Sequence, residues 1–179
     1  MSHSKIRQIL PFVLLLAPAA CAQQTPKVLV ATGKEAMAQI LDPGALDCVG
    51  GRPTGAPLQC TPGTTKIFLW NWVSTQRYLD VEGTAAALIG GQNKVVMNCN
   101  LDQTYYGHCW GIFEWEIAGA GGRWEGVWVG VWDYATNRVT YRLTGYGTGG
   151  QLEGLQIEKE SIWPGGTQPG TFVVKVVKK

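Results

Sequence analysis

The sequence is poor in histidine and lacks the cysteine spacings that commonly bind metal ions. It contains two histidines in 179 residues, and His108 is the only one beyond the first few positions. Ser-His-Asp, Cys-His and multi-histidine metal mechanisms would all have to use that residue. There is no CxxC pair in the chain. We therefore predict no zinc or other metal site and no cofactor.

Charge is also scarce, since charged residues make up 16% of the chain and the formal net charge is +2. Two of the fifteen basic residues, Lys5 and Arg7, belong to the N-terminal segment, which leaves thirteen against thirteen acidic residues. Proteins that bind nucleic acid neutralise phosphates with clustered basic side chains. A neutral chain without such clusters predicts no nucleic-acid partner.

The N-terminal segment runs from Lys5 and Arg7 through an apolar stretch at residues 10–17 to small residues around Cys21. This pattern is typical of a secretory signal peptide over residues 1–22. Alternatively, Cys21 is retained as the attachment cysteine of a lipoprotein, although Pro18 stands where such sequences usually carry leucine. The apolar stretch is too short for a transmembrane helix. We expect an exported protein, periplasmic, extracellular or lipid-anchored to the envelope, with membrane contact only through an anchor at Cys21.

Removal or lipidation of Cys21 leaves four of the five cysteines, an even number. In an exported chain this indicates two disulfides. Among the three connectivities, we favour pairing of nearest neighbours, which joins Cys48 to Cys60 and Cys99 to Cys109.

The remaining chain of about 157 residues is long enough for one domain with a substantial core. Residues 23–63 read as an N-terminal arm with one short helix, Lys34 to Leu41, and a Pro/Gly-rich disulfide loop. Residues 64–179 carry short β-rich segments separated by glycine turns, which indicates a small antiparallel β-barrel of about eight strands. Strands are predicted over 66–73, 76–89, 94–99, 107–117, 122–133, 138–147, 151–159 and 171–178, with a contribution from residues 27–31.

Across the predicted hairpins, large residues lie opposite small ones. A turn at residues 118–121, with Gly119 in a two-residue type II′ loop, pairs Phe113 with Gly126. A turn at residues 134–137 pairs Gly130 with Tyr141, and a turn at Thr148-Gly149 pairs Gly145 with Leu152. The face that holds these pairs is dry and is predicted to line the lumen with Phe113, Trp115, Trp124, Trp128, Trp132, Tyr141, Leu143, Leu152 and Gln156.

Ionisable side chains of the same strands fall on the opposite face. They are Glu114, Glu116, Glu125, Arg123, Arg138, Arg142 and Glu153. Since general acid–base catalysis needs a titratable group within reach of the substrate, this assignment places no such group in the lumen. Asn71 or Tyr78 could supply a polar group, but both faces of residues 66–73 are apolar enough to leave their orientation open.

Three stretches carry a resemblance to a known group of proteins: STQRYLDVEGT at 74–84, GGRWEGVWVG at 121–130 and GYGTGGQLEGLQ at 145–156. Over residues 64–158 the sequence resembles the allene oxide cyclase-like and dirigent-like β-barrels, which include bacterial exported members of unknown function. The resemblance implies a barrel that binds apolar molecules, since plant members cyclise or steer reactive small molecules in an apolar pocket. No catalytic position can be carried over residue by residue.

Three functions follow from this reading. The first is binding of a small apolar or aromatic molecule in the lumen, with candidate residues Phe113, Trp115, Trp128, Trp132, Tyr141, Leu143, Gln156 and Asn71. The second is a filled-core structural or interaction protein of the cell envelope. The third is a cyclase or isomerase of the allene oxide cyclase-like type. Apolar residues on the outer face, among them Ile112 and Val127, are covered either by the arm or by a second subunit in a homo-oligomer.

Overall fold

The computed structural model describes residues 27–56 and 58–178, so the signal peptide predicted over residues 1–22, including Cys21, lies outside the described residues. Within that part, helical structure is limited to the 3-10 turns Ala86–Leu88, Ala118–Ala120 and Gly150–Leu152, and no helix there is long and apolar enough to cross a membrane. The strands are β1 (Val28–Asp42), β2 (Ala45–Val49), β3 (Lys66–Gly83), β4 (Gln92–Asp102), β5 (Tyr106–Ile117), β6 (Gly122–Asp133), β7 (Arg138–Thr148), β8 (Leu155–Trp163) and β9 (Gly170–Lys178).

The strands form one antiparallel sheet that closes on itself. Their order is β1-β9-β8-β7-β6-β5-β4-β3-β2, and β1 pairs with β3 as well as with β9. Eight strands therefore make a closed barrel. The ninth, β2, continues the path of β1 beside β3, since Asp42 pairs with Val73 and Ala45 with Trp70. The interruption falls at Pro43, which has no N–H to donate to the ladder. The predicted all-β barrel is confirmed.

The short helix expected over Lys34 to Leu41 is wrong, because these residues belong to β1. The pairing of β1 with β3 shifts register between Thr32 and Lys34, between Met37 and Gln39, and between Ile40 and Asp42. The additional residue lies on β3 at the first shift and on β1 at the other two. The two bulges of β1 interrupt its alternation after Met37, so the apolar residues of this segment lack the spacing of a regular strand. As β1 closes the barrel, the barrel begins well before residue 64.

The two strands predicted over 66–73 and 76–89 are one continuous strand, β3, which ends at Gly83. Residues 74 and 75, which the prediction left between the two strands, pair in regular register with β4 and also pair with β1. The irregularity lies earlier, where the register with β4 shifts between Leu69 and Trp72 and Asn71 adopts a φ of 56°. A bulge bends the strand here without ending it.

The registers predicted for the β5–β6 and β6–β7 hairpins are confirmed, including Phe113 opposite Gly126 and Gly130 opposite Tyr141. The glycines also make the expected room, since a Cβ at Gly145 would lie 2.7 Å from the Phe113 ring. The first turn differs in detail. It is a 3-10 turn over Ala118–Ala120 followed by Gly121 at a φ of 65°, not a two-residue type II′ loop.

The register predicted for the β7–β8 hairpin is wrong. Gly145 pairs with Ile157 instead of Leu152, because residues 149–154 form a longer connection that contains a 3-10 turn. An odd shift in register reverses the two faces of a strand. Lys159 and Ser161 therefore point into the barrel, and Gln156 does not.

Both predicted disulfides are confirmed. Cys99 and Cys109 are directly opposite each other on β4 and β5, with their Cα atoms 4.1 Å apart. Cys48 on β2 is joined to Cys60 in the loop that follows, at a Cα distance of 5.9 Å.

Candidate functional site

One end of the barrel, which we call the closed end, is filled by side chains. Trp115 and Trp124 lie there without solvent exposure, next to the fully buried Leu152. The indole N–H of Trp115 donates to the Gly90 carbonyl at 2.7 Å, and that of Trp124 donates to the Leu88 carbonyl at 2.9 Å. Residues 84–91 therefore cover this end with both indoles fully hydrogen-bonded.

The other part of the lumen holds a cavity of about 70 Å³. It reaches the surface at Met37 and Asn137, which are exposed. Since one water molecule occupies about 30 Å³ and a benzene-binding cavity about 150 Å³, the space accepts a small molecule or the end of a larger one. Aromatic and apolar side chains dominate its wall, chiefly Trp72, Phe113, Trp128, Trp132, Tyr141 and Leu143.

Three residues of the cavity wall each carry a buried polar atom that has no hydrogen-bond partner among the described residues. These atoms are Nε1 of Trp72, Nε1 of Trp132 and Oδ1 of Asn93. The exposed fractions of these residues are 4%, 6% and 0%. By contrast, the neighbouring Trp128 donates its N–H to the Val96 carbonyl at 3.1 Å. Buried polar groups in proteins are nearly always paired, so three unpaired groups around one cavity need an explanation.

A cluster of polar side chains, which we call the Glu35 cluster, is buried beside this cavity. The Glu35 carboxylate accepts hydrogen bonds from the Tyr141 hydroxyl at 2.8 Å and from the Trp163 indole at 2.6 Å. It also accepts from Ser161 and from the Lys159 ammonium, with which it forms an ion pair without solvent exposure. Tyr141 and Trp163 line the cavity as well, so they connect it to the buried charges.

Lys159 donates to the Tyr141 hydroxyl at 2.5 Å and to the Tyr78 hydroxyl at 3.2 Å. Its nitrogen lies 4.7 Å from the centre of each of these two rings. Burial lowers the pKa of Lys159, and the negative charge of Glu35 opposes that change. Three acceptors and the electron-rich faces of two rings thus surround the ammonium group.

The hydroxyl groups of the two tyrosines in the cluster, Tyr78 and Tyr141, have raised pKa values. Burial raises the pKa of Tyr78 and of Tyr141 well above the ordinary value, and the nearby charge of Glu35 raises both further. Tyr78 also accepts a hydrogen bond from the Asn93 amide at 3.0 Å and stacks on Trp115 with ring centres 4.1 Å apart. The cluster is therefore in contact with both the cavity wall and the closed end.

The prediction of a lumen without acids or bases is wrong, because Glu35 and Lys159 lie inside it. Glu35 was missed because its segment was read as a helix, and Lys159 because the β8 register was wrong. A signal for Lys159 was present in the sequence. Two-residue steps separate Ile157, Lys159, Ser161 and Trp163, so in a strand these residues lie on one face. Lys159 therefore shares its face with a large apolar residue before it and another after it.

The candidate ligand-binding residues separate into three groups. Phe113, Trp128, Trp132, Tyr141 and Leu143 line the cavity. Trp115, like the lumen residue Trp124, is part of the closed end. Gln156 and Asn71 are outside the lumen: Gln156 pairs with Tyr146 on the outer face, and Asn71 is exposed at the bulge of β3. Trp72 and Asn93 were missed, because the orientation of β3 was open and Asn93 was placed before its strand.

Potential metal ligands are dispersed over the part of the chain that the structure describes, which holds no group of three His, Cys, Asp or Glu residues close enough to bind a metal ion. Comparison of the whole chain with protein-family models, with curated proteins and with solved structures finds no match.

Proposed function

We propose that this protein is an exported β-barrel that binds a small, mainly apolar or aromatic molecule in its lumen. The observation that carries the proposal is the aromatic cavity with three unpaired buried polar atoms on its wall, open to the surface at Met37 and Asn137. Ligand sites of this kind are concave and mostly apolar, with a few placed polar groups that orient the ligand.

The same atoms favour binding over a purely structural barrel. A buried polar group without a partner costs about 1–3 kcal/mol. The closed end avoids that cost by pairing both of its indoles with backbone carbonyls. In a purely structural barrel, the unpaired indole N–H groups of Trp72 and Trp132 beside an open space would lower stability without any compensating function. A ligand with suitable polar atoms removes the cost.

Binding is also better supported than acid–base turnover. Among the described residues that line the cavity, Tyr141 is the only titratable one. Its hydroxyl oxygen lies 2.8 Å from each oxygen of the Glu35 carboxylate, to which it donates, and its pKa is raised by burial and by that carboxylate. A phenol held in this way is a weak acid. The cyclase or isomerase alternative rests on this residue alone.

Two further observations support export and the relation to the barrels that the sequence resembles. The disulfides Cys48–Cys60 and Cys99–Cys109 fit an oxidising compartment and therefore export. The closed antiparallel barrel of eight strands, with apolar side chains in its lumen, agrees with the proposed relation to the allene oxide cyclase-like and dirigent-like barrels.

The test is a titration of the oxidised chain with xenon, an apolar probe small enough for a cavity of about 70 Å³, followed through the indole N–H signals in nuclear magnetic resonance spectra. We expect saturable shifts for Trp72, Trp128 and Trp132 and small ones for the closed-end indoles of Trp115 and Trp124. Each signal is assigned by its own Trp→Phe variant. The eight tryptophans of the chain thus report on cavity, closed end and surface in one experiment.

Val139→Phe provides the matched variant, because Val139 lines the cavity and a phenyl ring there occupies the space. We expect it to abolish the saturable shifts. Val129→Phe is the control, since Val129 lies on the outer face and is 59% exposed. Absence of saturation in the unaltered chain, or equal binding by both variants, contradicts the proposal.

A further inference from the structure

From the unpaired atoms of the residues on the cavity wall we infer the chemistry of the ligand's polar end: a neutral group that accepts two hydrogen bonds and donates one, as an amide or a hydroxyl does. The inference rests on the proposed binding function and deepens it. It follows from the number, type and burial of the groups on the wall.

The first step is the balance of donors and acceptors. Trp72 and Trp132 each offer an indole N–H, which can only donate, and Asn93 offers a carbonyl oxygen, which can only accept. A ligand that satisfies all three needs acceptor capacity for two hydrogen bonds and one donor. An amide has this set in three adjacent heavy atoms, because its carbonyl oxygen has two lone pairs, and a hydroxyl has it on a single oxygen. A ketone or ether lacks the donor and leaves Asn93 unpaired.

The second step concerns charge. The Glu35 cluster contains one cation and one anion in direct contact, so it has no charge left for a ligand. The described residues on the cavity wall include no Lys, Arg or His. Transfer of an ion into such a site is costly without a partner. A carboxylate also lacks a donor and would face the Asn93 oxygen. The polar end of the ligand is therefore neutral.

The third step concerns size. A cavity of about 70 Å³ accepts a polar group with two or three carbon atoms. A longer apolar remainder would extend past Met37, which is 45% exposed at the mouth. Met37 and Met97 both contribute to the wall, and the flexible thioether side chain of methionine adapts to different shapes. The polar end is thus specified more narrowly than the apolar remainder.

The experiment compares three probes of nearly equal shape: propionamide, butanone and propionate. They are titrated at neutral pH into the oxidised full-length chain, again with the indole N–H signals as readout. We expect propionamide to bind at least about fivefold tighter than butanone, as one additional hydrogen bond allows. Propionate should not saturate the Trp72 and Trp132 signals. Those two signals should move downfield with propionamide as their N–H groups gain an acceptor.

Two variants locate the effect. Asn93→Leu removes the acceptor and should bring the propionamide-to-butanone ratio close to one, with butanone binding retained. Trp132→Phe removes one donor and should weaken both probes alike, so that the ratio is kept. Trp110→Phe is the control, because Trp110 lies on the outer face and is 38% exposed. If Asn93→Leu does not fold, the probe series in the unaltered chain still decides.

The outcomes separate the inference from the proposed function. Equal binding of propionamide and butanone, or tighter binding of propionate, overturns the inferred polar group, while saturable xenon binding upholds the lumen as a binding site. Failure of xenon and of all three probes overturns both.

Discussion

The two ends of the lumen are built from the same residue type and differ in how its polar atom is used. At the closed end, Trp115 and Trp124 donate to carbonyls of residues 88–90. At the cavity, Trp72 and Trp132 are also buried, but their indole N–H groups have no partner among the described residues. The ring supplies apolar area in both places. The indole N–H groups are paired within the chain at the closed end, whereas at the cavity those of Trp72 and Trp132 are left for a ligand.

The Glu35 cluster adds a second contrast, since it concentrates charge in a lumen that is otherwise apolar. It joins side chains from β1, β3, β7 and β8, including the strand that closes the barrel. Buried ion pairs contribute little net stability when compared with well-packed apolar residues, and their best-attested structural use is to specify register. Two of the three register shifts between β1 and β3 insert a residue into β1, so a buried polar anchor at Glu35 selects which of its faces points inward.

The largest effect is expected from Glu35→Gln, which leaves the ammonium of Lys159 buried without its counter-ion. Removing one partner of a buried pair costs about 3–5 kcal/mol. Urea unfolding should show this loss. The double variant Glu35→Gln/Lys159→Met, which removes both charges, should recover most of it.

Lys34→Met serves as the control for this prediction, since Lys34 forms an exposed ion pair with Asp80 on the outer face of the same strand. Its unfolding midpoint should be unchanged. If the unfolding midpoint of Glu35→Gln is also unchanged, the Glu35 cluster has no role in stability. Its polar groups would then serve only the cavity.

A smaller effect is expected when the closed end and the cavity are compared through the variants Trp124→Phe and Trp132→Phe. Both residues are on β6 and face inward, and each substitution removes the same atoms. Only Trp124 has a hydrogen bond to lose, which would leave the buried Leu88 carbonyl unpaired. We expect Trp124→Phe to be more destabilising by about 1–3 kcal/mol. Equal unfolding free energies for the two variants would remove the distinction between the ends.

The smallest effect concerns ionisation of the tyrosines at high pH. The pKa of Tyr78 and of Tyr141 is raised above the unfolded value of 10.0. Their contribution to stability is therefore fully present below pH 10 and is lost as the pH rises through their native pKa. Tyrosinate absorbance of the folded chain should show fewer than its six tyrosines titrating until it unfolds. The Tyr78→Phe and Tyr141→Phe variants should leave that folded-state titration unchanged; a smaller amplitude in either would show that its phenol ionises in the native state.

Prediction from the sequence succeeded where short hairpins determine the pairing. The registers of β5, β6 and β7 follow from large residues opposite glycine and from an Asp–Arg pair at the second turn, and these are local patterns. It failed where an irregular element intervened. Reading residues 34–41 as a helix hid Glu35, and the longer connection before β8 reversed the faces of that strand and hid Lys159.

By itself, the sequence determined an all-β barrel, two disulfides between nearest cysteines and an aromatic lumen, because these depend on composition and on contacts close in the chain. Only the tertiary structure decided that Glu35 and Lys159 meet across the lumen and that Trp72, Trp132 and Asn93 surround one cavity. Glu35 and Lys159 are 124 residues apart in the chain. Their contact depends on closure of the barrel by β1, and no periodicity within a single segment reports which strand closes a sheet.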